Sequence, residues 1–149
     1  MRRMIGLGVL AAILMASSGA GSAAYSVASL NGTCLWDTLF YPTSAGIQND
    51  AGPAAVLAPL TFDGAGHLSF TYDINLNGTF SSTANVNGTY TIDATGHGSL
   101  SYNSPATGKD LIFDFRISPN GHVLRTIFES YGGEPATPRV GAGVCTFAD

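Results

Sequence analysis

Three stretches of this chain share one turn grammar. Phe62-Asp63-Gly64-Ala65-Gly66-His67, Ile92-Asp93-Ala94-Thr95-Gly96-His97 and Ile117-Ser118-Pro119-Asn120-Gly121-His122 each place Asp or Ser after an apolar residue, then two turn residues, then Gly and His. Asp or Ser caps such a turn through its side chain, Pro119 fits the fixed φ of the second position, and Gly takes the positive φ that ends it. Alternating sequence resumes on either side. Three hairpins of one chemistry restrict the chain to an antiparallel meander.

Reading outward from those turns predicts eight strands, at 33–40, 55–62, 67–74, 84–93, 97–103, 110–117, 122–130 and 139–147. Leu68, Phe70 and Tyr72 alternate with Ser69, Thr71 and Asp73, and Val86, Gly88, Tyr90 and Ile92 alternate with Asn87, Thr89, Thr91 and Asp93. Leu111, Phe113, Phe115 and Ile117 oppose Asp110, Asp114 and Arg116, with Ile112 the apolar exception on the polar side. One face of such a sheet is dry and the other wet. The fold class is therefore all-β, an eight-stranded antiparallel meander closed into a small β-barrel, with a β-sandwich as the alternative. The tripeptide Asn-Gly-Thr occurs at 31, 77 and 87. Asn77-Gly78 reads as a hairpin turn, whereas Gly32 and Gly88 read as positions where a strand begins, bends or is closely approached.

The first residues read as an export leader. Arg2 and Arg3 form a positive n-region, Met4 to Met15 an apolar run, and Gly21-Ser22-Ala23-Ala24 a small-residue cleavage site. The apolar run is shorter than the roughly 20 residues that span a bilayer, so a Sec-type signal peptide over 1–24 is favoured over an anchor. A single domain then occupies 25–149, with no membrane attachment after leader removal and a secreted or periplasmic location. This domain carries Lys109, Arg116, Arg125 and Arg139 against ten acidic residues, a formal charge of −6. Without a basic cluster it has no means of gripping phosphate backbones, which excludes nucleic acid as a partner.

Two cysteines are present, Cys34 near the start of that domain and Cys145 near its end. In an exported protein a disulfide between them is the expected state, two separate buried thiols the alternative. Their places on the first and last predicted strands favour barrel closure, which makes those strands neighbours.

"LTFDGAGHLSF" followed by "VNGTYTIDATGHGSLSY" resembles a group of small secreted bacterial β-proteins that share a Phe-Asp-Gly-x-Gly turn and a later Gly-Thr-Tyr-Thr strand. The Gly-Thr-aromatic strand starts are more loosely similar to avidin-like and lipocalin-like barrels. The resemblance implies a barrel and a bacterial exported setting. Its motifs are structural and carry over no catalytic residue.

Candidate chemistry is sparse. His67, His97 and His122 would lie at one rim, but the parity of His67 and His97 points them outward, away from a shared metal. Asp73-Ile74-Asn75-Leu76-Asn77-Gly78 matches the first half of a calcium loop, yet its twelfth position is Ala84 and a polar hairpin explains the same residues. No serine sits in a Gly-x-Ser-x-Gly elbow, and the acidic residues read as turn caps or solvated positions. No cofactor is implied.

What remains is binding. Trp36, Tyr72, Tyr90 and Phe113 would line the interior, and Arg125, on the face of Val123 and Ile127, is either an inward anchor for an anionic ligand or a mark that the register of that strand is ambiguous. A carrier of a small apolar molecule needs a cavity of at least roughly 300 Å³ there. An interaction scaffold would instead use the loops 42–54 and 131–138 and an exposed apolar patch. A cyclase- or isomerase-type enzyme would need a deep polar group with a perturbed pKa.

Overall fold

The structure is a computed structural model that describes residues 24–42, 53–105, 108–132, 134–135 and 139–148. Of the expected leader over 1–24, residues 1–23 lie outside them, as do most of 42–54 and much of 131–138. Nine strands follow a 3₁₀ turn at Val27–Ser29: β1 (Asn31–Pro42), β2 (Ala54–Asp63), β3 (His67–Leu76), β4 (Thr79–Ile92), β5 (His97–Asn103), β6 (Asp110–Ile117), β7 (Val123–Tyr131), β8 (Glu134–Pro135) and β9 (Arg139–Phe147). β1 to β7 pair in chain order, β7 pairs with β9, and β9 returns to β1. Every pairing is antiparallel, so eight strands close into a barrel and the two-residue β8 hangs from β7.

The three turns work as their composition requires. Asp63 Oδ1 accepts from the backbone N–H groups of Ala65 (2.7 Å) and His67 (2.9 Å). Asp93 Oδ1 does the same for Thr95 (2.8 Å) and His97 (3.1 Å). In the third turn Ser118 Oγ accepts from Val123 N–H at 3.0 Å and Asn120 Oδ1 from His122 N–H at 3.2 Å. Gly66, Gly96 and Gly121 take φ of 100°, 82° and 79°. Asn77 and Gly78 both have positive φ, the two-residue turn between β3 and β4. Asn75 Oδ1 accepts from Gly78 N–H and Asp73 Oδ1 from the Ser82 hydroxyl, so the calcium-like segment is a hairpin whose polar groups serve the hairpin.

Alternation along the strands turns one side of each inward. Trp36 sits at the centre and is fully buried, in edge-to-face contact with Phe113 (5.0 Å) and Phe70 (6.4 Å). Phe128, Phe40 and Tyr102 extend this cluster, and Phe62, Tyr90 and Phe147 form a second toward the rim with the three turns. An eight-stranded barrel has little more room than its own side chains need. Small inward residues therefore stand beside the large rings. A Cβ on Gly98 would collide with the Thr91 carbonyl and the Phe115 ring, and one on Gly141 would come within 2.5 Å of Phe40.

Cys34 and Cys145 are joined across the β1–β9 seam, with Cα atoms 5.4 Å apart. Cys145 lies opposite Trp36 and Cys34 opposite Phe147, so the bridge runs diagonally. Both cysteines are buried, which puts the disulfide on the inner wall.

Residues 24–30 close the rim that carries the three turns. Tyr25 donates its N–H to the Ala94 carbonyl (3.2 Å) and its hydroxyl to the Ser118 carbonyl (2.9 Å). The Tyr90 hydroxyl, from inside, is shared between the carbonyls of Leu30 (2.8 Å) and Val27 (3.0 Å), and Leu30 is buried.

Candidate interaction surface

The interior is built for packing. Trp36, Tyr72, Tyr90 and Phe113 all point inward and are buried, as their parity predicts. Ring contacts join Trp36 to Phe113 and Phe70, and Phe70 in turn to Tyr72, so these side chains meet one another across the interior. The Trp36 indole N–H donates to the buried Thr126 hydroxyl at 3.1 Å, so this polar group is satisfied inside the barrel. Two clefts among the described residues, of about 360 and 230 Å³, lie elsewhere. Pro59, Thr61, Ser69, Phe70, Thr71, Asn85 and Asn87 wall the larger, on the outside where β4 bulges at Asn85 (φ 59°). The smaller opens by Leu39, Tyr41, Ala55 and the Asn77-Gly78 turn. None of Trp36, Tyr72, Tyr90 and Phe113 walls either cleft.

Arg125 does not belong to the interior. Leu124, Thr126 and Phe128 are the buried residues of β7, and Arg125 and Ile127 are exposed on its outer side. The inward assignment followed from the apolar neighbours Val123 and Ile127. It fails because β7 is apolar on both faces, so hydrophobicity alone cannot say which side is the core.

That second apolar face extends over four strands. Cross-strand register builds three outward rows: Pro59, Leu35, Thr146 and Val123; then Leu57, Asp37, Val144 and Arg125; then Ala55, Leu39, Ala142 and Ile127. Leu35 is 53% exposed, Leu57 47%, Leu39 44% and Ile127 65%. The opposite flank is different: β3, β4 and β5 present Ser69, Thr71, Asn87, Thr89, Thr91, Ser99 and Ser101 outward. Among the described residues most of the exposed large apolar side chains gather on this face, with Phe80 of β4, 66% exposed, the exception. Leu35, Asp37, Leu39 and Tyr41 alternate with Cys34, Trp36, Thr38 and Phe40, and that run of four outward positions with a single charge was the available sequence signal.

Charge is sparse on this face. Asp37 and Arg125 flank Val144 in the middle row, and neither forms an ion pair with a described residue. Arg125 also stands directly opposite Arg116 of β6, two like charges side by side.

The titratable groups serve structure. Backbone N–H donation from His67 and Ala65 holds the Asp63 carboxyl down at about 2. The Thr95 hydroxyl lowers Asp93. Burial raises the phenols of Tyr90 and Tyr102, away from neutral pH. His67 Nδ1 meets Asp63 Oδ2 at 2.9 Å, and His97 Nε2 lies 3.8 Å from Asp114 Oδ2. Among the described residues no three His, Cys, Asp or Glu side chains gather around a common point.

A scan against protein-family models, a search of curated proteins and a search of solved structures each found no match.

Proposed function

We propose that this chain is an exported, non-catalytic β-barrel module that binds through its outer surface. The observation that carries the reading is the contrast between the two sides of β1. Inside, Trp36 and Phe40 are packed against other rings, and outside, Leu35 and Leu39 are half exposed beside Leu57 and Ile127. A monomer that exposes large apolar side chains on adjoining strands carries a surface suited to a partner. The eight-stranded closure is compatible with a lipocalin-like carrier, but a carrier keeps its interior open, and here aromatic rings occupy it. An enzyme of cyclase or isomerase type finds little support, because the buried phenols are shifted away from the range where acid–base work is done. The buried disulfide fits an oxidising compartment, in keeping with the leader read over residues 1–24.

Two measurements test the reading. Native mass spectrometry of the protein isolated from its own host is expected to give the polypeptide mass with one disulfide and no retained small molecule. The dye 1-anilinonaphthalene-8-sulfonate is expected to bind the folded protein and to lose binding in Leu39→Lys and Ile127→Lys. A stoichiometric small molecule released on unfolding would instead make the barrel a carrier.

A further inference from the structure

The three outward rows have an internal symmetry. β9 runs through the middle of the face with Thr146, Val144 and Ala142, and β1 and β7 flank it. On each row the residue on β1 and the residue on β7 are suited to each other: Leu35 with Val123, Asp37 with Arg125, Leu39 with Ile127. Within one barrel these partners stand two strands apart, roughly 10 Å, and do not form pairs.

A second copy brings them together. Two such faces laid against each other about a twofold axis parallel to β9 exchange the β1 and β7 positions. Leu35 then meets Val123 of the second copy, Leu39 meets Ile127, and Asp37 meets Arg125, each contact occurring twice. Val144 meets its own counterpart on the axis, flanked by the short side chains of Ala142 and Thr146. A twofold axis across the strands would set Asp37 on Asp37 and Arg125 on Arg125, so charge selects the first arrangement. Arg116 beside Arg125 strengthens that selection, because an incoming carboxylate relieves two adjacent cations at once.

We infer that the outer face of β1, β9 and β7 is an isologous homodimer interface whose register is set by reciprocal Asp37–Arg125 ion pairs. The inference rests on the outward-binding reading and names its partner as another molecule of the same chain. Three strands at about 4.8 Å spacing and three outward rows about 6.7 Å apart cover on the order of 300 Å². A standard interface buries roughly 800 Å² per partner, so this contact belongs with the small, transient ones.

The test is a charge-reversal set measured by sedimentation equilibrium from about 1 μM to 1 mM. The wild-type protein is expected to show a monomer–dimer equilibrium. Asp37→Arg makes both reciprocal contacts Arg–Arg and Arg125→Asp makes both Asp–Asp, and each is expected to raise the dissociation constant about tenfold or more. Both positions are exposed, so circular dichroism should show each variant folded. An equimolar mixture of the two variants, in which every contact is again Asp–Arg, is expected to recover dimer as the heterodimer. A dimer indifferent to both substitutions, or a mixture that fails to recover, overturns the interface. Wild-type protein that stays monomeric while Leu39→Lys still abolishes dye binding overturns the dimer and leaves the face to a foreign partner. Dye binding unaffected by Leu39→Lys and Ile127→Lys overturns the outward-binding reading itself.

Discussion

Asp63 shows how one side chain organises a hairpin. Its carboxylate holds two backbone N–H groups and the His67 ring, and those donors keep it ionised down to about pH 2. An acid whose folded pKa lies below its unfolded value stabilises the fold above the unfolded pKa and loses that contribution as pH falls toward the folded one. Thermal melts should therefore show stability falling between about pH 4 and 2, and Asp63→Asn should melt lower at neutral pH with a flatter acid limb. Thr126 makes a different kind of contribution. Replacing it with Val leaves the buried Trp36 N–H without an acceptor and is expected to cost about 1–3 kcal/mol in denaturant titrations, with Thr126→Ser close to wild type. Gly98→Ala should cost about 3 kcal/mol, because the added methyl has no space between the Thr91 carbonyl and the Phe115 ring.

At the scale of elements, the strands that follow the turn grammar were readable to within a residue or two. β5, β6 and β9 run over the expected residues, 97–103, 110–117 and 139–147. β4 begins at Thr79, five residues before its expected start. Its first arm, Thr79–Ser82, is exposed on both faces, so no apolar alternation marks it as strand. β7 failed in the opposite sense. It has apolar residues on both faces, and Arg125 was assigned to the wrong one. The 24–30 segment that closes the rim left no periodic signal either, since its main contacts are hydrogen bonds made by backbone carbonyls and one tyrosine. The turn between β3 and β4 is open to direct test. Asn77-Gly78→Ala-Ala forces two side chains into positive φ and is expected to lower stability by about 2 kcal/mol, read from the denaturation midpoint.

For the whole molecule, the decisive contact is the one between the barrel's first strand and its last, β1 and β9. The disulfide closes a loop of 111 residues. In the chain-entropy model its loss in Cys34→Ser with Cys145→Ser lowers stability by about 4 to 5 kcal/mol at room temperature, through the added entropy of the unfolded state. Chemical denaturation of the double variant checks that figure. Because both sulfurs lie inside the wall, reductant should attack at the rate of unfolding in the folded wild type, and a thiol-trapping time course should track that rate.

The seam has a further meaning for a chain made from its N-terminus onward. β1 is complete early, but its partner β9 is the last strand of the barrel to be made, so the sheet stays open along one edge until residues 139–147 have been added. Cys34 has no intramolecular mate through all that time. A product that stops before residue 145, by stalling or by proteolysis, carries Cys34 as a solitary thiol, and one that includes Cys145 can close the bridge. Oxidation at this seam is in effect a molecular receipt for a barrel made through its closing strand, one that thiol-based quality control could read without sensing the fold at all.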